Sequence, residues 1–128
     1  MELSNHTSIG RVGEFFAAYV LETYGVEVHH VDRSFADLWC KVRGSLCTVQ
    51  VKSSSSPRRS NERRKAKYYY HTPPIEVDWF CFVALDRQLL LMSPCSLVLS
   101  KTTSFDPLEF NEANQRRTVE GFLESFSG

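Results

Sequence analysis

The strongest constraint in this sequence is an alternation of apolar and polar residues on both sides of the dipeptide Arg43-Gly44. A period of two is typical of a β-strand with one buried face, and a two-residue connection containing glycine is typical of a tight hairpin. We therefore predict a hairpin with strands at 36–42 and 45–53, in which Val42 lies opposite Ser45. Its apolar face comprises Leu38, Cys40, Val42, Cys47, Val49 and Val51.

The segments on either side of this hairpin show both helical and extended patterns. Apolar residues at helical spacing predict helices over 8–24 and 111–126, and Gly25 follows the first in the position of a helix-ending glycine. Because helices and strands mix along a chain of 128 residues, the sequence predicts one α/β domain, 1–128, with a mixed central sheet flanked by helices. Further strands are predicted at 26–31, 78–85 and 89–93.

Two glycines lie in the first turns of the first predicted helix. Gly10 and Gly13 each weaken a helix by roughly 1 kcal/mol relative to alanine. Such a cost predicts that another part of the backbone packs closely against this end of the helix.

Charge is distributed very unevenly along the chain. Residues 41–71 contain nine basic residues and one acid, so this segment carries +8 and the rest of the chain −8, although the whole chain is neutral. An asymmetry of this size in a small domain indicates a surface that faces a polyanion.

The basic residues after the hairpin are concentrated in residues 58–67, which we call the basic arm. Residues 53–61 have the composition of a loop, and 62–70 fits either a short basic helix or an irregular arm. The arm is either a solvated loop or a DNA-binding element, since lysine and arginine neutralise phosphates. The three tyrosines at 68–70 either stack on bases or pack in the core. The predicted DNA-binding residues are Arg58, Arg59, Arg63, Arg64, Lys65 and Lys67.

The polar face of the hairpin places chemically useful groups together. A two-residue turn puts Asp37 opposite Gln50, with Lys52 next on the same face. Mg²⁺ prefers oxygen ligands, which the Asp37 carboxylate, the Gln50 amide and the Val51 carbonyl would supply. Lys52 can hold a phosphate oxygen or orient a water molecule. Asp32 competes with Asp37 for the acidic role, and the register favours Asp37.

These residues resemble the signature of the PD-(D/E)XK nuclease superfamily. Asp37, a gap of twelve residues, and Gln50-Val51-Lys52 match its motif, in the form of a small glutamine-bearing branch seen in some homing endonucleases and similar to Holliday-junction resolvases. Glu14 resembles the helical glutamate of the superfamily, and 78–86 resembles its core strand.

The resemblance implies a restriction-endonuclease-like core and a Mg²⁺-dependent DNA endonuclease, in which Mn²⁺ substitutes for Mg²⁺. It implies catalytic roles for Glu14, Asp37, Gln50 and Lys52, and metal binding by Glu14, Asp37, Gln50 and Val51. It also implies a homodimer or higher oligomer, and helix 111–126, with Phe122 and Phe126, is a candidate part of that interface. The DNA substrate stays open between a four-way junction, a specific duplex site and branched DNA.

Other observations narrow the class of protein. No apolar run approaches the roughly 18 residues of a membrane span, and the N-terminus lacks the order of a signal peptide, so we expect a cytoplasmic protein with no membrane partner. The four cysteines form no metal-binding spacing and are expected to be reduced. Two alternatives remain: a catalytically weak or inactive DNA-binding module on the same fold, and a domain whose basic arm binds RNA or an acidic protein.

Overall fold

The chain folds into a five-stranded mixed β-sheet with two helices on one face and a two-stranded sheet on the other. The computed structural model describes residues 6–31 and 36–126. The α/β class predicted from the sequence is confirmed. In chain order, the elements are α1 (His6–Thr23), β1 (Glu27–His30), β2 (Leu38–Val42), β3 (Ser45–Ser54), β4 (Tyr68–His71), β5 (Trp79–Ala84), β6 (Leu89–Pro94), β7 (Thr102–Phe105) and α2 (Glu112–Glu124), with short 3₁₀ turns at Cys95–Leu97 and Pro107–Glu109.

The predicted hairpin is present in the predicted register. Val42 pairs with Ser45 and Leu38 with Val49. Arg43 and Gly44 have φ values of 51° and 83°, which are typical of the two-residue turn whose twist matches that of the flanking strands. The hairpin therefore forms from local sequence, and it places β3 beside β2 with one face apolar.

The strand β3 is the centre of the sheet, whose order is β1-β2-β3-β5-β6. It pairs antiparallel with β2 and parallel with β5. The strand β5 is covered on both faces, since Cys81 and Val83 face one core cluster while Phe80 and Phe82 face the other. This double burial accounts for its apolar sequence.

The sequence pattern did not predict the two-stranded sheet. β4 and β7 pair antiparallel, and we call them the β4–β7 ribbon. Tyr68 and Tyr70 point inward from it and are almost fully buried, and the Tyr70 hydroxyl donates to the Val83 carbonyl at 2.9 Å. These two tyrosines are core residues and are not available to stack on bases.

Both helices cover the face of the sheet opposite the ribbon. Ala17 and Leu21 of α1 share a core cluster with Val119 and Phe122 of α2. Phe122 is fully buried and its ring meets the Trp79 ring edge-on, at 5.1 Å between centroids. The expectation that Phe122 contributes to an interface is therefore wrong, because its side chain lies in the core of this chain.

The close approach predicted at the start of α1 occurs at Gly13. A Cβ atom at this position would overlap the Ser53 hydroxyl and lie 2.7 Å from its Cβ. At Gly10 nothing lies within 4 Å of such an atom. A close approach is therefore present at Gly13 and absent at Gly10, and the atoms that come closest to Gly13 belong to the Ser53 side chain, whereas the sequence predicted a contact with the backbone. The missing side chain at Gly13 lets α1 pack against the carboxyl end of β3.

Two further expectations concern the cysteines and the helices. All four cysteines are free thiols. None of the helices in residues 6–31 and 36–126 is both long enough and apolar enough to cross a membrane.

The contact at Gly13 leads to a test with an internal control. Gly13→Ala should lower the free energy of unfolding by about 1–3 kcal/mol, because the added methyl group has no space beside Ser53. Gly10→Ala should raise it by up to about 1 kcal/mol, because it improves helix propensity without a clash. Urea unfolding of both variants measures the difference. Equal effects of the two substitutions would contradict the packing described for Gly13.

Candidate active site

Asp37 lies one residue before β2, where the hairpin ladder ends. Its backbone N–H donates to the Val49 carbonyl at 3.0 Å. Its side-chain Oδ2 accepts the backbone N–H of Val51 at 2.9 Å. The strand β3 continues to Ser54, beyond its last residue paired with β2. The Asp37 carboxylate therefore accepts the Val51 N–H in place of a carbonyl group of β2.

The geometry of β3 also fixes the direction of the Val51 carbonyl. Leu85 N–H donates to the Ser54 carbonyl at 2.9 Å. The backbone N–H and carbonyl groups of the even-numbered residues at this end of β3 therefore point toward β5. Val51 therefore directs both its N–H and its carbonyl toward the opposite edge, because both groups of one strand residue point the same way. That edge is where the Asp37 carboxylate lies.

Glu14 reaches the same place from α1. Its position follows directly from the Gly13 contact, which holds this turn of the helix against Ser53. The Glu14 side chain lowers the pKa of Asp37, so the two carboxyl groups are neighbours. Two neighbouring carboxylates repel when both are charged, and a proton or a cation relieves this repulsion.

The surroundings of Asp37 favour its neutral form. Burial raises the pKa of Asp37 above its ordinary value of 3.8, and the Val51 N–H, the Glu14 hydrogen bond and the nearby Lys52 charge offset only part of this rise. Burial likewise lowers the pKa of Lys52, against the opposing effect of Asp37. Opposite shifts in neighbouring acidic and basic groups are typical of functional sites.

Lys52 faces the ribbon side of the sheet and lines a cleft of about 610 Å³. We call this the Lys52 cleft. Sequence reasoning did not single out most of its lining, because the residues come from the end of β3 and from both ribbon strands. The other lining residues are Ile9, Ser53, Ser54, Ser55, Ser56, Arg58, Tyr69, Tyr70, His71 and Thr102.

Gln50 is half-buried on β3, on the same face as Lys52 and in register with Phe80 of β5. The hairpin pairing ends at Leu38 and Val49, so Asp37 is not paired directly with Gln50 and instead reaches the Val51 N–H. The structure brings Glu14, Asp37, Val51 and Lys52 together, and a role for Gln50 stays a prediction.

Asp78 lies at the other end of β3 from Asp37. Its Oδ2 accepts the backbone N–H of Thr48 at 2.8 Å and the Thr48 hydroxyl at 3.1 Å. It thereby joins the starts of β3 and β5. Asp32 lies outside the described residues.

The basic arm is an ordered irregular loop and not a helix. Arg58 and Lys67 exchange two backbone hydrogen bonds of 2.8 Å, which close the loop at its base. The Arg58 guanidinium lies 4.6 Å from the centre of the Tyr69 ring, a cation–π distance. All six basic residues of the arm are exposed, and no Asp or Glu of the described chain forms an ion pair with them.

Comparison with known proteins identifies the fold. No family model matches the sequence, and no curated protein matches it. Among solved structures, the chain is similar to I-Ssp6803I, a bacterial homing endonuclease, with a TM-score of 0.73 over 96% of this chain and 94% of that chain, at 16% sequence identity. The chain therefore has the fold of that endonuclease, and a fold alone does not establish an activity.

The raised pKa of Asp37 leads to a prediction about stability and pH. The folded-state pKa of Asp37 lies above its ordinary value of 3.8. Asp37 therefore contributes fully to the free energy of unfolding at pH values below 3.8, where it is neutral, and this contribution is lost as the pH rises through the folded-state pKa. Asp37→Asn removes this loss, so its free energy of unfolding should increase relative to the wild type between about pH 4 and pH 7. Urea unfolding in a chelating buffer measures the difference.

Asp78→Asn is the matched control, because Asp78 also accepts a backbone N–H from β3 but is exposed. It should show no such gain at neutral pH. A constant difference between Asp37→Asn and the wild type across this pH range would contradict the assignment.

Proposed function

We propose that this protein is a Mg²⁺-dependent DNA endonuclease of the PD-(D/E)XK type. The observation that carries the proposal is the Asp37 carboxylate, which accepts the Val51 N–H toward the carboxyl end of β3 and has Glu14 and Lys52 as its neighbours. Similarity to the fold of a bacterial homing endonuclease supports it. So does the resemblance of Asp37 and Gln50-Val51-Lys52 to the superfamily motif.

The donor atoms at this position fit a magnesium ion. Mg²⁺ is usually held by one or two protein carboxylates, with water and phosphate completing its shell. Glu14 and Asp37 would supply the carboxylates, the Val51 carbonyl a further oxygen, and Gln50 an amide oxygen. No group of three acidic, histidine or cysteine side chains placed to hold a metal lies within the described ranges, so water and phosphate would have to complete the shell. When bound, the ion would stabilise charge on the phosphate and lower the pKa of bound water, and Mn²⁺ should substitute for it.

Lys52 is the residue of the site that meets the substrate from the cleft side. It adjoins the carboxylate pair and also lines the Lys52 cleft. Its ammonium group would hold a non-bridging oxygen of the scissile phosphate or orient the attacking water. Glu14 and Asp37 would hold that water on the opposite side.

The basic arm would hold the DNA backbone near this site. Arg58 lines the same cleft as Lys52, so positive charge is continuous from the catalytic lysine into the arm. Exposed basic residues without acidic partners can neutralise phosphates and release counterions. We further infer that two or more copies act together, because one chain offers one carboxylate pair in its described part and a duplex has two strands.

The assigned roles predict the effects of single substitutions on cleavage. Asp37→Asn and Lys52→Ala should each reduce single-turnover cleavage of plasmid DNA with Mg²⁺ by at least about 100-fold, a loss typical of removed acid–base groups. Asp78→Asn is the control and should keep cleavage close to the wild-type rate. DNA affinity should persist in all three, since the basic arm is unchanged. Wild-type protein that binds DNA but never cleaves it would instead support an inactive DNA-binding module.

Metal binding can be tested without any cleavage. Mg²⁺ should raise the thermal unfolding midpoint of the wild type, because a ligand that binds only the folded state stabilises it. This shift should disappear in Asp37→Asn. If Gln50 is a ligand, Gln50→Glu should shift half-saturation to lower Mg²⁺ and Gln50→Ala to higher Mg²⁺, since a carboxylate adds charge to the site. Unchanged titrations in both Gln50 variants would leave the metal to Glu14, Asp37 and Val51.

A further inference from the structure

The β4–β7 ribbon has one buried face and one solvent-facing face, and the second has no role in the core. Tyr68 and Tyr70 of β4 point inward, paired with Phe105 and Thr103 of β7. The intervening positions form the outward face, where Tyr69 pairs with Ser104 and His71 with Thr102. His71, Thr102 and Ser104 are exposed and Tyr69 is half-buried.

Every side chain on this outward face can donate or accept a hydrogen bond. Tyrosine, serine and threonine hydroxyls do both, and the histidine ring offers one donor and one acceptor when neutral. A polar outer face is ordinary for an antiparallel strand pair that covers a core, so the position of this face and the charges around it must indicate its partner. The face suits the recognition of a patterned array of donors and acceptors.

The outward face is continuous with the proposed catalytic site. Tyr69, His71 and Thr102 line the same cleft of about 610 Å³ as Lys52. A ligand strand held at Lys52 would therefore run past the ribbon. Whatever the ribbon contacts lies within a few nucleotides of the scissile phosphate.

Positive charge flanks the ribbon. Arg58 is stacked on Tyr69, Lys67 directly precedes β4, and exposed Lys101 directly precedes β7. The partner of this face is thus a polyanion whose interior carries hydrogen-bonding groups. A nucleic acid groove has this combination of phosphate walls and base edges.

The size of the ribbon selects the groove. Two paired strands lie about 4.8 Å apart, and the major groove of B-form DNA, about 12 Å wide, admits a two-stranded ribbon. The minor groove is about 6 Å wide, and the major groove of duplex RNA is too deep and narrow for side chains to read. Four residues of strand span roughly 10 Å, or about three base-pair steps.

We propose that the outward face of the β4–β7 ribbon reads base edges in the major groove of duplex DNA, over three or four base pairs beside the cleavage position. This proposal rests on the proposed function for the position of the scissile phosphate. It makes the substrate a specific duplex sequence, and it gives the ribbon and the basic arm different tasks. The ribbon supplies sequence discrimination, while the arm supplies affinity that is independent of sequence.

The test is a binding selection, which needs no cleavage. The full chain is used to enrich sequences from a randomised 30-base-pair DNA duplex library, without divalent metal. The same selection is run on His71→Ala/Ser104→Ala, which alters the outward face, and on Arg63→Ala/Arg64→Ala, which alters only the arm. Arg116→Ala removes an exposed charge from α2, on the far side of the sheet. Circular dichroism confirms that each variant is folded.

We expect the wild type to enrich a motif, and the ribbon variant to lose about tenfold or more of its discrimination at three or four adjacent base pairs. Its affinity for a scrambled duplex should stay within about twofold. The arm variant should keep the motif, bind all duplexes more weakly and show a shallower salt dependence. Arg116→Ala should behave as the wild type.

Four results would overturn the proposal: absence of DNA binding, absence of any enriched motif, a motif that the ribbon variant retains in full, or tighter binding of duplex RNA of matched length. These outcomes are separate from failure of the nuclease function. A protein that reads a motif through the ribbon but never cleaves would retain this inference and lose the other. A protein that cleaves without sequence preference would retain the nuclease function and lose this inference.

Discussion

The contact between Gly13 and Ser53 is the constraint on which the arrangement of the site depends. Because residue 13 has no side chain, α1 lies directly against the carboxyl end of β3, and the next residue, Glu14, is a neighbour of Asp37 that lowers its pKa. The Ser53 hydroxyl is buried there without a hydrogen-bond partner, which costs stability. A helix with a side chain at position 13 would stand farther from the sheet, and the carboxylate pair would separate.

The strand β3 donates backbone N–H groups to two aspartates that lie in different surroundings. Asp37 and Asp78 each accept a backbone N–H from β3, at 2.9 and 2.8 Å. Asp78 is exposed and closes the start of the parallel strand pair, whereas Asp37 is half-buried against Glu14 and close to Lys52. Placing two carboxyl groups together in a partly buried position opposes folding at neutral pH. The proposed magnesium ion would offset that cost.

The side chains of β3 point alternately to two faces of the sheet, one packed under the helices and one directed toward the ribbon and its cleft. Val49 and Val51 point into the core under both helices, while Lys52 points toward the ribbon and its cleft. The ribbon repeats this division, with buried Tyr68 and Tyr70 on one side and hydrogen-bonding side chains on the other. The residues proposed for cleavage, base recognition and phosphate binding thus adjoin one another around the Lys52 cleft.

Local periodicity was enough to determine part of this structure. The alternation around Arg43-Gly44 predicted the hairpin and its register, and the helices and the buried strand β5 followed from their apolar patterns, because each of these signals lies within a few neighbouring residues. The hairpin pattern also placed Asp37 and Lys52 on one face, whereas Glu14 was selected by its resemblance to the helical glutamate of the superfamily. The pairing of β4 with β7 could not be predicted, since four residues carry too little periodicity and their partner lies some thirty positions away. Tertiary structure alone decided that Tyr68 and Tyr70 are buried, that Asp37 reaches the Val51 N–H and is not paired with Gln50, and that Lys52 shares a cleft with the ribbon, because each depends on packing between elements distant in sequence.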